Sequence, residues 1–276
     1  MTLLSVENLH VTFDTEAGVV EAVRGVSFAL GRERLGIVGE SGSGKTQTGR
    51  AVLRLIRPPG RIRADRMVFD GQDLMAAGER DMRALRGRRI AMVMQDPKYS
   101  LNPVMRVGHQ LMEGLRQRDG LSRRDAHAKA VEALAAVQIR DPARVMEAWP
   151  HELSGGMGQR VMIAMMLIPN PDLLIADEPT SALDVTVQAE VLSILDNLVR
   201  TRGMGLIFIS HDLRLVARFC DRVLVMFKGR IVEELPARNL MQAQHPYTRG
   251  LLDCLPRIGG PRTPLPALDR TADWAR

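Results

Sequence analysis

Eight consecutive residues match the spacing G-x-x-x-x-G-K-[ST] of a phosphate-binding loop. In this loop, glycines let the backbone turn tightly and aim its N–H groups at an anion. The Lys45 ammonium would reach the β- and γ-phosphates of a nucleotide, and the Thr46 hydroxyl would ligate Mg²⁺. The loop therefore predicts a nucleoside triphosphate site. Its residues are Gly39, Glu40, Ser41, Gly42, Ser43, Gly44, Lys45 and Thr46.

The flanking sequence predicts the elements that position this loop. The apolar residues 35–38 indicate a buried strand, and residues 45–56 indicate a helix whose N-terminal dipole favours phosphate. Strand, loop and helix in this order are the context that the motif requires. A chance glycine-rich turn is therefore a weak alternative.

A second strand-like run, residues 173–176, ends in two carboxylates, Asp177 and Glu178. An Asp at a strand end beside a phosphate loop can hold the Mg²⁺ shell. A carboxylate directly after it can polarise the attacking water. Alone, the segment would be equally consistent with a strand and a polar turn, since Pro179 stops the strand. Beside a phosphate loop, we interpret Asp177 as a metal ligand and Glu178 as a catalytic base.

Between these segments, Ser154, Gly155 and Gly156 stand at the start of a predicted helix, residues 155–168. The serine hydroxyl and the free N–H groups of a helix start can bind an anion, although alone they would indicate only a capped helix. Residues 153–160 resemble the signature Leu-Ser-Gly-Gly-x-x-x-Arg of the ATP-binding-cassette (ABC) ATPases.

The order of motifs extends this resemblance to nearly the whole chain, from about residue 3 to about residue 255. The phosphate loop, Gln95, the signature, the Asp-Glu pair and a Ser-His-Asp segment containing His211 occur in the family's order. The resemblance implies that ATP and Mg²⁺ are the cofactors. It also implies that Ser154, Gly155 and Gly156 contact an ATP held by a second ATPase subunit.

Four further residues receive roles from the resemblance. Gln95 resembles the glutamine that binds Mg²⁺ or the attacking water, and His211 resembles the switch histidine near the γ-phosphate. Asp184 resembles the D-loop aspartate that touches the opposite ATP site. Phe13 is placed where the family stacks an aromatic ring on adenine, but a core phenylalanine is an equally good interpretation. Without the resemblance, Gln95 and His211 would be read as ordinary strand-end residues.

Composition bounds the remaining possibilities. The 276 residues can bury one large core, and the two cysteines make a disulfide framework unexpected. No run reaches the roughly 20 apolar residues of a membrane span. The net charge of +6, concentrated at residues 57–66 and 80–89, suits nucleic acid, acidic lipid or an acidic partner equally. Few aromatic residues are available to stack single-stranded nucleic acid.

The resemblance implies an α/β protein with a P-loop NTPase (RecA-like) core, an N-terminal antiparallel β-subdomain and an inserted helical subdomain. Alternating apolar residues predict the antiparallel strands at residues 3–13 and 19–30. We expect the helical subdomain over about residues 97–160. We expect the ABC ATPase domain to span residues 1–258, and the Pro- and Gly-rich residues 259–276 to form an irregular tail.

Finer patterns predict individual elements. Ser122 is a candidate N-cap of a helix within the helical region. Residues 187–198 have the spacing of an amphipathic helix, and residues 223–227 and 231–233 form a candidate hairpin.

The leading functional expectation is the ATP-hydrolysing subunit of an ABC importer. Residues 97–103, 182–188 and 244–252 resemble segments of the oligopeptide, dipeptide and nickel importer ATPases. That resemblance implies a homo- or heterodimer of ATPase chains, peripheral on the cytoplasmic face of the inner membrane. Two permease subunits and an extracellular or periplasmic solute-binding protein complete the assembly.

Two questions stay open at this level. Peptide, nickel, metallophore or opine could each be the transported solute, because other subunits read it. The alternative function is a soluble ABC ATPase acting on DNA or the ribosome. That class usually has paired cassettes or long coiled-coil insertions, and sustained heptads are absent between Thr46 and Ser154. Nucleic acid is therefore not an expected partner.

Overall fold

The computed structural model describes residues 2–94, 101–181 and 183–255, together with Trp274. Two compact units make up the chain: residues 1–78 with 207–276, and residues 79–206. Gln95 and the predicted tail, residues 259–276 apart from Trp274, lie outside the described residues. Among the described helices, none combines the length and apolar character that crossing a bilayer requires.

The described elements are strands, α-helices and short 3₁₀ turns. The strands are β1 (Leu4–Thr15), β2 (Gly18–Leu30), β3 (Arg34–Val38), β4 (Gly60–Arg63), β5 (Arg66–Phe69), β6 (Gln72–Asp73), β7 (Ile90–Val93), β8 (Leu173–Asp177), β9 (Gly205–Ile209), β10 (Arg222–Phe227) and β11 (Arg230–Pro236). The helices are α1 (Lys45–Val52), α2 (Glu79–Leu85), α3 (Val107–Asp119), α4 (Arg123–Ala136), α5 (Pro142–Glu147), α6 (Gly155–Leu167), α7 (Val185–Arg202), α8 (Leu213–Phe219) and α9 (Pro246–Asp253). Short 3₁₀ turns cover Pro150–Glu152 and Ala237–Gln242.

The first unit contains the predicted antiparallel sheet. Its strands follow the order β2-β1-β5-β6, and β4 also pairs with β1. Asp70 and Gly71 make the turn between β5 and β6, and their φ values of 46° and 82° suit a tight hairpin. Alternating side chains of β1, such as Leu4, Val6 and Val11, are buried.

A second layer of the first unit carries the phosphate loop. β3 lies beside β10 in parallel register, with Ile37 opposite Leu224, and β10 forms the predicted hairpin with β11. β9 lies on the other side of β3, where the Ser210 amide donates to the Ile37 carbonyl at 3.1 Å. Because β3 is buried along almost its whole length, the loop that follows it starts from a rigid base.

Helix α1 ends at Val52 rather than at the predicted residue 56. The chain turns at Arg54, which adopts a left-handed φ of 51°. The Arg54 guanidinium donates to the carbonyls of Leu74 and Ala77. The helix prediction was too long because these distant contacts, which the local pattern does not encode, fix the turn.

The second unit is mainly helical. α3, α4 and α5 pack on one another, and α6 packs on α4. Ser122 caps α4 as predicted, since its hydroxyl accepts a hydrogen bond from the Asp125 amide at 3.1 Å. The buried face of α4 includes Ala130 and Leu134. Strands β7 and β8 pair in parallel within this unit, and β8 is fully buried.

Candidate functional site

The phosphate loop has the backbone that its glycines predict. Gly39, Gly42 and Gly44 have φ values of 150°, 81° and 101°. A Cβ on Gly39 would lie 2.2 Å from the Met226 carbonyl oxygen, and one on Gly44 would lie 2.4 Å from the Ala22 carbonyl oxygen. Backbone therefore packs against the loop from β10 and from β2, and a side chain at either glycine would displace it.

The Lys45 side chain folds back over the phosphate loop. The side chain is only 6% exposed, and Nζ donates to the carbonyls of Gly39 and Glu40, both at 2.8 Å. These carbonyls solvate the ammonium in a buried setting where an unpaired charge would be costly. The arrangement holds a positive charge against the loop in which phosphates are predicted to bind.

The start of α1 completes an anion-binding arrangement. Gly44 is its N-cap, no acidic side chain stands in its first turn, and Thr46 lies half-buried there. The Ser43 hydroxyl is buried and has no hydrogen-bond partner among the described residues. A buried donor without a partner at a helix start is a feature that a bound phosphate would satisfy.

Two hydrogen bonds join the loop to elements that are distant in the sequence. The Gly229 amide, in the β10–β11 turn, donates to the Ser43 carbonyl at 3.0 Å. The hydroxyl of Tyr247, in α9, accepts a hydrogen bond from the Glu40 amide at 3.1 Å. Sequence reasoning did not identify Tyr247 as a site residue. The segment around it served only as a mark of resemblance.

The two predicted carboxylates lie at the end of β8 in different settings. Asp177 is only 4% exposed, whereas Glu178 is half-buried. Glu178 has a φ of 48°, a left-handed value that a non-glycine residue rarely adopts. Its carbonyl accepts hydrogen bonds from the amide and hydroxyl of Ser181 at 3.3 and 3.2 Å. The backbone thus leaves the extended conformation of β8 and turns at Glu178.

The signature segment begins helix α6 and is exposed at its tip. The Ser154 hydroxyl caps the helix by accepting from the Met157 amide at 3.3 Å. Gly155 has open space around it, whereas a Cβ on Gly156 would lie 2.6 Å from Cγ1 of Val187. The starts of α6 and α7 are therefore in close contact at Gly156.

Asp184, the predicted D-loop residue, lies beside that contact. The Asp184 carboxylate caps α7 and accepts from the amides of Thr186 and Val187, both at 3.0 Å. Farther along the two helices, Arg160 of α6 forms an ion pair with Glu190 of α7. The structure thus brings the signature and Asp184 together within the second unit.

His211 follows the end of β9 and is exposed. Its neighbours are fixed: the Ser210 amide bonds to β3, and the Asp212 carboxylate caps α8 by accepting from the Leu215 amide at 3.0 Å. The phosphate loop leaves β3 just after the Ile37 carbonyl to which Ser210 bonds. His211 and the phosphate loop therefore follow the ends of two neighbouring strands, β9 and β3, at the same edge of the sheet.

Comparison with known proteins decides the family. The model of the ABC transporter family matches residues 23–181, which include the phosphate loop, the signature and the Asp-Glu pair. The chain belongs to the ABC transporter family. The fold and the ATPase class predicted from the sequence are confirmed.

Curated ABC relatives match most of the chain. The oligopeptide transport ATP-binding protein OppD of Salmonella typhimurium is 49% identical over 258 residues, covering 93% of this chain and 77% of that protein. The dipeptide transport ATP-binding protein DppD of Bacillus subtilis is 44% identical over 269 residues, covering 95% of this chain and 80% of that protein.

A solved ABC structure shows the fold. The dimeric post-hydrolysis state of the ATP-binding cassette MJ0796, bound to ADP and Pi, matches with a TM-score of 0.76. The match covers 85% of this chain and 99% of that cassette, at 24% identity. Its α/β cassette architecture agrees with the P-loop NTPase core that the sequence predicts.

Gln95 and Phe13 are the remaining predicted site residues. Gln95 lies outside the described residues. Phe13 lies half-buried in β1 opposite Val20 of β2, and a Cβ on Gly60 of β4 would lie 2.7 Å from its ring. One side of the ring thus packs on β4, and the role of Phe13 toward adenine stays a prediction.

Proposed function

We propose that this chain is the ATP-hydrolysing subunit of an ABC importer for peptides. The observation that carries the substrate class is the identity of 44–49% to two peptide transport ATP-binding proteins across more than nine-tenths of the chain. These relatives favour transport over action on DNA or the ribosome. Nickel, metallophore and opine remain outcomes that the experiments below can reveal.

The phosphate loop would hold the β- and γ-phosphates of ATP. Lys45, held in place by its bonds to the Gly39 and Glu40 carbonyls, would reach the phosphate oxygens, and the Ser43 hydroxyl would gain the partner it lacks. Mg²⁺ bound with ATP prefers one or two carboxylates, hydroxyls and phosphate oxygens. Asp177 and Thr46 would supply such oxygens, and Gln95 would add an amide oxygen.

When bound, Mg²⁺ would neutralise charge on the β- and γ-phosphates. Glu178 would orient a water and accept its proton while the water oxygen attacks the γ-phosphorus. The bond from that phosphorus to the β–γ bridging oxygen breaks, and ADP and phosphate leave. His211 would stabilise the γ-phosphate from the β9 edge. The turned backbone at Glu178, with its φ of 48°, supports a role outside ordinary strand packing.

The signature would act on an ATP held by a second ATPase subunit. Ser154, Gly155 and Gly156 present a hydroxyl and helix-start amides at an exposed position, which suits a γ-phosphate arriving from outside. Asp184, beside them, would contact the same opposite site. Because this chain carries both halves of the ATP site, the phosphate loop and the signature, a homodimer and a heterodimer would each be able to hydrolyse ATP.

The helical region would dock on a cytoplasmic loop of a permease, one of two permease subunits in the assembly, at the cytoplasmic face of the inner membrane. A solute-binding protein would deliver substrate outside. Val104, just before α3 in this region, is 76% exposed and is therefore accessible to a partner. The binding cassette itself would remain peripheral to the membrane.

A photo-crosslinker at Val104 in native membranes tests this docking. We expect ATP-independent capture of a permease, and a matched crosslinker at Met241, which is also exposed, should capture none. The solute-binding protein that co-purifies should bind peptides. Capture of ribosomal or DNA-bound proteins from Val104, without a permease, would overturn the transport assignment, and a binding protein specific for nickel or an opine would overturn the peptide class.

A further inference from the structure

We propose that Tyr247 is a positioning residue for Lys45 and acts through a single peptide group of the phosphate loop. This inference rests on the proposed function, because it concerns how the loop holds ATP. It adds helix α9, more than 200 residues along the chain, to the machinery that sets nucleotide affinity.

Tyr247 meets the loop with a neutral hydroxyl in a fixed position. The side chain is fully buried, and its ring packs on Phe227 with centroids 4.6 Å apart. Burial raises the pKa of the Tyr247 hydroxyl to about 12, so it keeps its proton at neutral pH. The hydroxyl oxygen accepts the hydrogen bond from the Glu40 amide at 3.1 Å.

The Glu40 amide belongs to the same peptide group as the Gly39 carbonyl. In a planar trans peptide, N–H and C=O point in opposite directions. Here the N–H points to Tyr247, and the C=O accepts from Lys45 Nζ at 2.8 Å. Tyr247 thus fixes the orientation of this peptide group. The Gly39 carbonyl at the opposite side of the group then fixes the position of the Lys45 ammonium. Gly39, with a φ of 150°, has few steric limits of its own, so this plane needs an external anchor.

The start of α9 is itself anchored to β11. Oε1 of Glu233 accepts from the amides of Gln244 and His245 at 2.8 and 3.2 Å, and His245 Nδ1 accepts from the Tyr247 amide at 3.2 Å. Although burial opposes it, hydrogen bonds from these two amides lower the pKa of Glu233. The carboxylate therefore stays charged at neutral pH, and the tyrosine is held in place from the strand side.

A double-mutant cycle with Lys45 tests the inference. Tyr247→Phe removes only the hydroxyl and keeps the ring on Phe227. Equilibrium binding of fluorescently labelled ATP is measured for the unaltered chain, Tyr247→Phe, Lys45→Ala and the double variant. Losing one hydrogen bond should weaken binding about two- to tenfold in the unaltered background. In the Lys45→Ala background, the same change should have less than about a twofold effect, since the group it positions is gone.

Thr248→Val is the matched control. Thr248 is the next residue of α9 and is equally buried, so this variant also removes a buried hydroxyl from the helix but leaves the loop peptide untouched. We expect it to bind ATP within about twofold of the unaltered chain. Thermal unfolding of all variants confirms that they are folded.

The outcomes separate this inference from the function on which it rests. If Tyr247→Phe weakens ATP binding equally in both backgrounds, or if Thr248→Val weakens it as much, Tyr247 does not act through Lys45 and the inference is wrong. If Lys45→Ala leaves ATP binding unchanged, the phosphate-loop assignment itself is wrong. Unchanged binding in Tyr247→Phe, with Lys45→Ala impaired, would overturn the inference alone.

Discussion

Gly156 stands where the starts of helices α6 and α7 touch, and replacing it with alanine should separate them. The added Cβ would lie 2.6 Å from Cγ1 of Val187, well inside van der Waals contact. Valine in a helix has one strongly preferred χ1, so it cannot easily rotate away. Overpacking of this kind typically costs about 1–3 kcal/mol.

Gly155→Ala is a close control, because the space around Gly155 is open. Alanine is favoured over glycine in a helix by about 0.5–1 kcal/mol, and both variants share that gain. The difference between them therefore isolates the steric term. For a chain of this size, a 2 kcal/mol difference corresponds to about 4–8 °C in Tm. Gly156→Ala should melt below Gly155→Ala by roughly that margin in differential scanning calorimetry.

A second substitution checks the cause. Val187→Ala removes the atoms in conflict, so it should cost less stability in the Gly156→Ala background than in the unaltered chain. Equal melting of Gly155→Ala and Gly156→Ala, or purely additive effects with Val187→Ala, would refute the close contact between the two helix starts.

Further outcomes follow from the first unit. Gly39→Ala should weaken ATP binding more than Gly42→Ala in equilibrium titration. Both variants force alanine into a left-handed φ, which costs about 1–2 kcal/mol. Of the two, only a Cβ at Gly39 would also collide with a backbone oxygen, the Met226 carbonyl. Equal losses would contradict this packing. Although burial opposes it, hydrogen bonds from Arg34 lower the pKa of Asp221 below its usual 3.8. The Arg34–Asp221 ion pair therefore stabilises the folded chain above that pH, and this stabilisation is lost as the pH falls below it. Asp221→Asn should therefore flatten the fall in Tm between about pH 5 and pH 3, and an unchanged slope would contradict the ion pair.

Local signals were sufficient for much of the fold. The buried strand β3, the β10–β11 hairpin and the Ser122 cap follow from apolar periodicity, turn residues and capping chemistry, all of which act over a few residues. The amphipathic helix predicted at residues 187–198 is also present, within the longer α7.

Features fixed by distant contacts were not predictable in this way. The end of α1 depends on Arg54 reaching carbonyls some 20 residues away, and the contact of Tyr247 with Glu40 spans 207 positions. Helix α2 was missed because its charged residues, including Arg80 and Arg83, dominate a short segment with only Met82 and Leu85 buried. The proposed site chemistry resides in short motifs that the sequence displays, whereas the contacts that support those motifs join residues far apart in the chain.

Uptake of labelled peptide into membrane vesicles, measured together with ATP binding and hydrolysis, tests the central claim most directly. Glu178→Gln keeps the shape of the side chain but removes the base, so turnover should fall by about 10²–10⁴. We predict that vesicles containing this variant bind ATP as tightly as the unaltered assembly, yet neither hydrolyse it nor accumulate peptide. Near-normal hydrolysis and peptide uptake with Glu178→Gln would contradict the assignment of this chain as the ATPase that drives import.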